Sequence, residues 1–494
     1  MGTKILGIDI GSTQICAIMA ECENSSTRSD NAIKVIGMGS VKSQGLKKGS
    51  ITNIELASNS IKAVVNDVMR IAGTKFDKVI VSISGKDAKN IDCKDVINIP
   101  EREVNIKQIE RAISSAEYKV KIPHDYEIIH TLPYNFKIDE QDNIEDPLGM
   151  NGTRLEVQAH IIVVQKSAVM NLRKAIEKAG LKADNIVLSG YASAIATLNE
   201  DEKALGAVLI DMGGASCNMV IHSGNSIRYN EFLGVGSSNI TIDLSTILHT
   251  PPTVAEDIKV KYGTLKNQGN ELIVLPDLGD ENSSHEVDIS VITKVIYMRV
   301  EETLMILAKM LSESNYKDLA GAGVVLTGGM TKLDGLRELA SAVFDSMPVR
   351  IARPREFESS IDVFKDPANS CAIGLCLYGA GYFTPYEIDS ERKLRYKDEP
   401  MIKNRGLISV KEMDEKRDQV LHSDTKDKFD KDYEIYEGIE DEISINTQNN
   451  DLKGIDLKIE NDDSIKNDVG AKRIDMADSI NPFSKFINYL KNLF

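Results

Sequence analysis

No two cysteines stand at the close spacing of a zinc knuckle or a redox pair. Cys16, Cys22, Cys93, Cys217, Cys371 and Cys376 are scattered along the chain. Disulfide frameworks and structural zinc sites need clustered spacing, so the six read as reduced, packed thiols of a cytosolic protein. No apolar run approaches the ~20 residues that cross a bilayer, so the body reads as soluble. No cluster of Lys and Arg offsets a formal net charge of −16 and a pI near 5.1. That balance argues against nucleic acid as a partner, because phosphate backbones select basic faces. A secretory leader is not evident either, since the chain opens on a strand and a glycine turn. The Met1-Gly2 start lacks the Ser or Thr that N-terminal acylation favours, and Leu6 stands in that place.

What is present is a long chain able to fold. Its 494 residues exceed one compact core and predict two or more domains, and hydrophobic residues make up 42%. Residues 4–10 (K-I-L-G-I-D-I) predict a buried strand, followed by a turn at Gly11-Ser12-Thr13 and a returning strand from Ile15 to Ala20. Leu56, Ile61, Val64, Val65, Val68 and Ile71 have helical spacing across 56–72, and 78–84 predicts another strand. Residues 85–160 are less regular, with short strands and one helix near 105–118, and read as an inserted small domain. Strand Ala159–Val164 and a helix over 166–179 follow.

The pattern then restarts. Residues 205–212 predict a strand ending in Asp211, Gly213-Gly214-Ala215-Ser216 a turn, and 217–222 the returning strand, with a further strand at 226–232. A strand, an Asp and a small-residue turn thus occur twice, at 5–13 and 208–216. The repeat predicts two similar α/β halves. Helices are expected around 253–262 and 290–314, then strand 323–327, Gly328-Gly329 and a helix after Leu333. From 387 to 479 the chain is crowded with Asp, Glu, Lys and Asn and reads as a disordered linker.

Three of these pieces carry chemistry together. Small-residue turns let backbone N–H groups approach phosphate oxygens, and Asp9 and Asp211 at the strand ends could hold Mg²⁺ through its waters. Gly11, Ser12 and Thr13 on one side, with Gly213, Gly214, Ala215 and Ser216 on the other, would grip a triphosphate. Gly328, Gly329 and Met330 provide a flat backbone for a nucleoside, ahead of a helix N-terminus. Glu256 and Lys259 share a helix face and fit ribose hydroxyls and a base edge. Singly, each turn is an ordinary tight turn and the pair an ordinary surface ion pair; it is their order that points to a nucleotide.

These motifs resemble the actin, sugar-kinase and heat-shock chaperone ATPase superfamily. Asp9-Ile10-Gly11-Ser12-Thr13 resembles its first phosphate motif and Asp211-Met212-Gly213-Gly214-Ala215-Ser216 its second. Val325-Leu326-Thr327-Gly328-Gly329 resembles the adenosine motif, and residues 255–263 the base- and ribose-contacting helix. Within the superfamily, Ile129-His130-Thr131-Leu132-Pro133 and residues 146–156 in the insert resemble the FtsA family of bacterial cell-division proteins. The resemblance implies an actin-like ATPase fold with ATP and Mg²⁺ as ligands. It implies subdomain 1A at 1–84 and 161–192, subdomain 1C at 85–160, and 2A at 193–240. Subdomain 2B would span 241–324, and 325–386 would complete 2A and return to 1A. It further implies a tether of FtsZ through 2B, later division proteins through 1C, self-association into filaments, and a place on the cytoplasmic face of the membrane at the septum. Leu188-Ser189-Gly190-Tyr191-Ala192-Ser193 matches the stretch where chaperone ATPases carry a water-directing Glu, and it has neither carboxylate nor amide. At most a slow ATPase is therefore expected. A small-molecule kinase would need a general base, usually Asp, and no motif supplies one. A chaperone would need a β-rich domain after 387, and a pilus-assembly relative would not need the tail.

That tail is apolar again. Ile480, Phe483, Phe486, Ile487, Leu490, Leu493 and Phe494 fall at helical spacing, with Asn481 as N-cap and Pro482 at the first helical position. Residues 480–494 would reach about 22 Å as a helix, short of the ~30 Å hydrocarbon core. An amphipathic helix lying in the headgroup zone is expected, with Phe483, Phe486, Ile487, Leu490, Leu493 and Phe494 touching membrane lipid.

Overall fold

The structure is a computed structural model that describes residues 2–22, 33–86, 88–266, 269, 271–345, 347–355 and 365–396. Strand Thr3–Ile10 is apolar on both faces and lies at the centre of a five-stranded sheet. It pairs antiparallel with Gln14–Cys22 and parallel with Lys78–Ile83. Ile33–Lys42 and Asn185–Leu188 complete the edges. Helix Ile54–Ala72 covers the outer face. Asn53 caps it by accepting from the Leu56 amide, Gly73 ends it in the left-handed region, and Ile61, Val64 and Val68 are fully buried beneath it.

The second half repeats this plan. Ala207–Met212 pairs antiparallel with Cys217–Ser223 and parallel with Val324–Thr327, flanked by Ser226–Leu233 and Val349–Ile351. Even the register repeats: Asp9 stands opposite Cys16, and Asp211 opposite Asn218, with four residues of turn beyond the last pair in each hairpin. The duplicated α/β architecture expected from the two Asp turns is the one observed. Helices Ser237–Ile247, Pro252–Tyr262 and Ile289–Glu313, with the hairpin Leu272–Asp277 and Asp280–Asp288, extend this half.

The insert is a separate antiparallel sheet. Its strands run in the order Lys89–Asn98, Arg154–Gln165, Tyr126–Ile138, Gln141–Ile144. Helix Ile106–Lys119 packs on it, started by a capping box between Asn105 and Gln108. Its last strand is much longer than the Ala159–Val164 predicted, because it begins with an alternating stretch in which Leu155 and Val157 are buried while Glu156 and Gln158 are half-exposed.

Two helices, Ser189–Thr197 and Ser370–Gly379, lie between the halves and are buried on every side. They pack so closely that a Cβ at Gly374 would come within 1.8 Å of the Ala192 carbonyl oxygen. A helix apolar all round has no amphipathic signature, and the second of these was not predicted.

One boundary needs correction. The linker was expected from 387, yet Glu387, Ile388, Asp389 and Arg395 are buried and bonded into the body. Charged composition mimics a linker here because Glu387, Asp389, Glu391, Arg392 and Arg395 all find partners within the body. The rest of that linker, from 397, and the terminal helix at 480–494 lie outside the described residues.

Candidate functional site

The two Asp hairpins face each other. A Cβ built on Gly214 would lie 2.2 Å from Thr13 Oγ1 and 2.8 Å from Thr13 Cβ, so the tips of the two turns are in contact. Any side chain at 214 would push them apart, which is why the second turn needs glycine there. The first turn is braced from outside: Ser12 Oγ accepts from the Gly49 amide at 2.7 Å, and the Ser43 amide donates to the Thr13 carbonyl at 3.0 Å. Behind the second turn, the Ser237 and Ser238 amides donate to the Gly213 and Gly214 carbonyls at 3.1 and 2.7 Å. The start of helix Ser237–Ile247 is thereby fixed to the turn. Ala215 and Ser216 complete that turn and are partly exposed.

Below the turns sit the two carboxylates, each held by a different central helix. Ser193 Oγ donates to Asp211 Oδ2 at 2.6 Å. On the other side the Cys371 thiol hydrogen-bonds Asp9, and Ser82 Oγ donates to Asp9 Oδ1 at 2.9 Å while accepting from the Ile10 amide at 2.8 Å. Burial raises the Asp9 carboxyl above the usual carboxylate range against these bonds. Burial raises Asp211 to about 6, and the charge of Asp9 adds to it. Two desolvated carboxylates that feel each other have the perturbed titration that functional clefts often show.

Gly328 closes the third side. Its φ is +92°, and a Cβ there would meet Asp211 Oδ1 at 2.4 Å and the Met212 carbonyl at 2.6 Å. Gly328 is therefore packed directly against the strand end at Asp211-Met212. Gly329 begins the short 3₁₀ turn Gly329–Lys332, and a Cβ there would meet the Ala368 Cβ at 3.7 Å, an ordinary contact. The Met330 side chain is buried in the core of the second half, so residue 330 presents only main chain beside the two glycines.

Glu256 and Lys259 are joined to the same region through one helix. Lys259 Nζ bonds Glu256 Oε2 at 2.7 Å, Thr241 Oγ1 at 2.9 Å and the Ser237 carbonyl at 3.3 Å. Burial works against the charged Glu256, but the bonds from Lys259 and Thr241 prevail and hold its carboxyl below the usual range. Lys259 is thus committed to internal partners, and the Glu256 side chain, 48% exposed, presents the open edge. Phe483, Phe486, Ile487, Leu490, Leu493 and Phe494, expected from the sequence to touch lipid, lie outside the described residues.

Sequence reasoning missed the groups that hold the carboxylates, Ser82, Ser193 and Cys371, because no local pattern marks them. It also missed Asn218. The stretch 188–193 carries no amide of its own, but Asn218 projects beside it from the hairpin strand, across from Asp211. A Cβ on Gly190 would lie 3.5 Å from Asn218 Cβ, and Asn218 Oδ1 is buried with no partner among the described residues. The hairpin repeat could have found it, since it takes the place that Cys16 holds in the first half.

Comparison with known proteins identifies the family and the fold. A family model described as the SHS2 domain inserted in FTSA matches residues 85–163, and one described as cell division protein FtsA matches 208–374. The chain is 40% identical over 424 residues to the cell division protein FtsA of Helicobacter pylori, covering 79% of this chain and 85% of that one. It is 34% identical over 381 residues to that of Pseudomonas aeruginosa, covering 76% and 89%. Among solved structures, a type IV pilus biogenesis complex of PilM and PilN superposes with a TM-score of 0.54 at 17% identity, covering 77% of this chain and 99% of that one. The fold is actin-like, and the chain belongs to the FtsA family of bacterial cell-division proteins.

Proposed function

We propose that this protein binds MgATP between its two hairpins, assembles with copies of itself in a nucleotide-dependent way, and tethers FtsZ filaments to the cytoplasmic face of the membrane at the septum. The contact of Thr13 with Gly214 above the facing pair Asp9 and Asp211 carries the nucleotide part of this reading. The site fits such a ligand: the turns at 11–13 and 213–216 leave backbone free of bulky side chains, and the paired carboxylates are short of positive charge. Among the described residues no group of three or more His, Cys, Asp or Glu could itself hold a metal ion. Asp9 and Asp211 would accordingly act on Mg²⁺ through its waters. When bound, the cation neutralises phosphate charge. Gly328 and Gly329 would pass under the nucleoside, with the open edge of Glu256 turned to the ribose.

The remaining parts rest on family membership and on the tail sequence. FtsZ would dock on residues 241–324 and later division proteins on the insert at 85–160. The helix at 480–494 would lie in the lipid headgroups, weakly as one copy and strongly as several on a polymer. Among the described residues no helix is long and apolar enough to cross a membrane. Sedimentation of the full chain with FtsZ and lipid vesicles, with and without MgATP, tests the reading. Recovery of FtsZ with the vesicles only when this protein is present is the expected result.

A further inference from the structure

Residues 384–395 follow the second central helix as a strap fastened on three sides, and Glu387 is its node. Its carboxylate is fully buried. Oε2 accepts from the Tyr191 hydroxyl at 3.0 Å, and Oε1 from the Tyr378 hydroxyl at 2.8 Å. Tyr191 belongs to the first central helix and Tyr378 to the second. The third partner is His130 of the insert, whose Nδ1 lies 2.7 Å from Oε1. His130 Nε2 accepts the Leu188 amide at 3.1 Å, so the ring carries its proton on Nδ1 and donates it to Glu387. Arg395 stacks over Tyr378, 4.2 Å from its centroid, and supplies the positive charge that such a carboxylate requires.

Beyond this node the strap grips the insert. Ile388 and Thr131 exchange two backbone hydrogen bonds of 3.0 Å. Tyr386 packs edge-on against Phe136 and donates to Asp146, while Arg392 pairs with Glu117 on the insert helix. The insert also touches the second half. The Asn90 side chain bonds the Asn230 backbone at 2.7 and 3.0 Å, Tyr316 donates to Asp92 at 2.6 Å, and Arg228 lies 3.5 Å over the Tyr134 ring. Arg228 Nε and Asn230 Oδ1 are buried there without a hydrogen-bond partner among the described residues. This contact is less completely satisfied than the strap.

We propose that the strap couples the cleft to the insert: movement of the two central helices, which hold Asp211 and Asp9, is carried through Glu387 and Ile388 to the insert strand Tyr126–Ile138. A fully bonded node transmits displacement because no partner can move without breaking or carrying the others. The proposal rests on the nucleotide reading above, since MgATP is what would move the helices.

Hydrogen exchange on the full chain, with and without MgATP, tests it, alongside a binding isotherm for a labelled ATP analogue. In the unmodified protein, MgATP should slow exchange in both central helices and alter it several-fold in strand Tyr126–Ile138. In Glu387→Gln, analogue affinity should stay within about threefold and the helices should still respond, but the insert response should vanish. A second variant, Ile388→Pro with Tyr386→Phe and Arg392→Ala, removes the amide that donates to the Thr131 carbonyl together with the two side-chain ties of the insert end, should give the same result, and decides the matter if Glu387→Gln does not fold. An insert response that survives in the folded variants, or is missing in the unmodified protein while its central helices respond, overturns the coupling. Failure of the unmodified protein to bind the analogue overturns the nucleotide reading and the coupling with it, and the isotherm alone tells these cases apart.

Discussion

Asp211 faces Asp9, and its carboxyl is pushed up to about 6, first by burial and then by the Asp9 charge, against the hydrogen bond from Ser193. A group raised in the folded state stabilises the fold when protonated. Without nucleotide, the contribution of Asp211 is therefore fully present below about 4, its unfolded value, and lost as pH rises through about 6. MgATP needs the ionised pair, so the stabilisation it confers should grow over the same interval. Thermal unfolding with and without MgATP between about pH 5 and 7 checks this. The trend should flatten in Asp211→Asn, and a nucleotide effect that grows toward acid would contradict the assignment.

Loss of either hairpin should abolish nucleotide binding. Asp9→Ala removes a carboxylate that would order the metal's waters, and Gly214→Val places branched carbon where Thr13 already sits at 2.2 Å from a Cβ. A weakening of about ten- to a hundredfold is expected for Asp9→Ala, since losing a charge-assisted contact costs roughly 1.5–3 kcal/mol, and a larger loss for Gly214→Val, where the blockage is steric. Titration of a labelled ATP analogue into variants with native circular dichroism is the measurement.

Among the described residues nothing partners the buried Asn218 Oδ1, which costs stability in the nucleotide-free protein. The similarly shaped leucine removes that cost. Asn218→Leu should raise the unfolding free energy of the nucleotide-free protein by on the order of 1 kcal/mol, seen as a higher denaturant midpoint at unchanged m. An unchanged or lower midpoint would mean that a water already satisfies the amide.

Turnover should be slow. The stretch from Leu188 to Ser193 has no carboxylate, and the one amide beside it, Asn218, can position water but is not a base. A steady-state rate well below the ~10 s⁻¹ of a typical enzyme is expected from phosphate release. A rate in that range would revive the kinase reading.

How much of this could be read beforehand follows from the physics of each part. The Asp turns at 9–13 and 211–216 were legible because a buried strand ending in Asp before small residues is a short-range pattern, and it occurs twice. The central helix Ser370–Gly379 was not, because apolar residues on every face leave no period to detect. The strap was read as linker because Glu387, Asp389 and Arg395 look solvent-loving until their partners, more than a hundred residues away for His130 and Asn185, are in place. Met330 lies beside the expected glycines, but its side chain is claimed by the core, a fact of packing and not of motif.

The most direct test of the tethering claim is co-sedimentation of the full chain with anionic lipid vesicles in MgATP, beside a chain lacking 480–494 and one carrying Phe486→Glu and Leu490→Glu. Two lysines in the tail add only about 1 kcal/mol each on an anionic surface, so the apolar face must supply most of the attachment. The intact protein should pellet with the vesicles, and both altered proteins should stay in solution while still binding the ATP analogue. Altered proteins that pellet as well as the intact one would contradict the account.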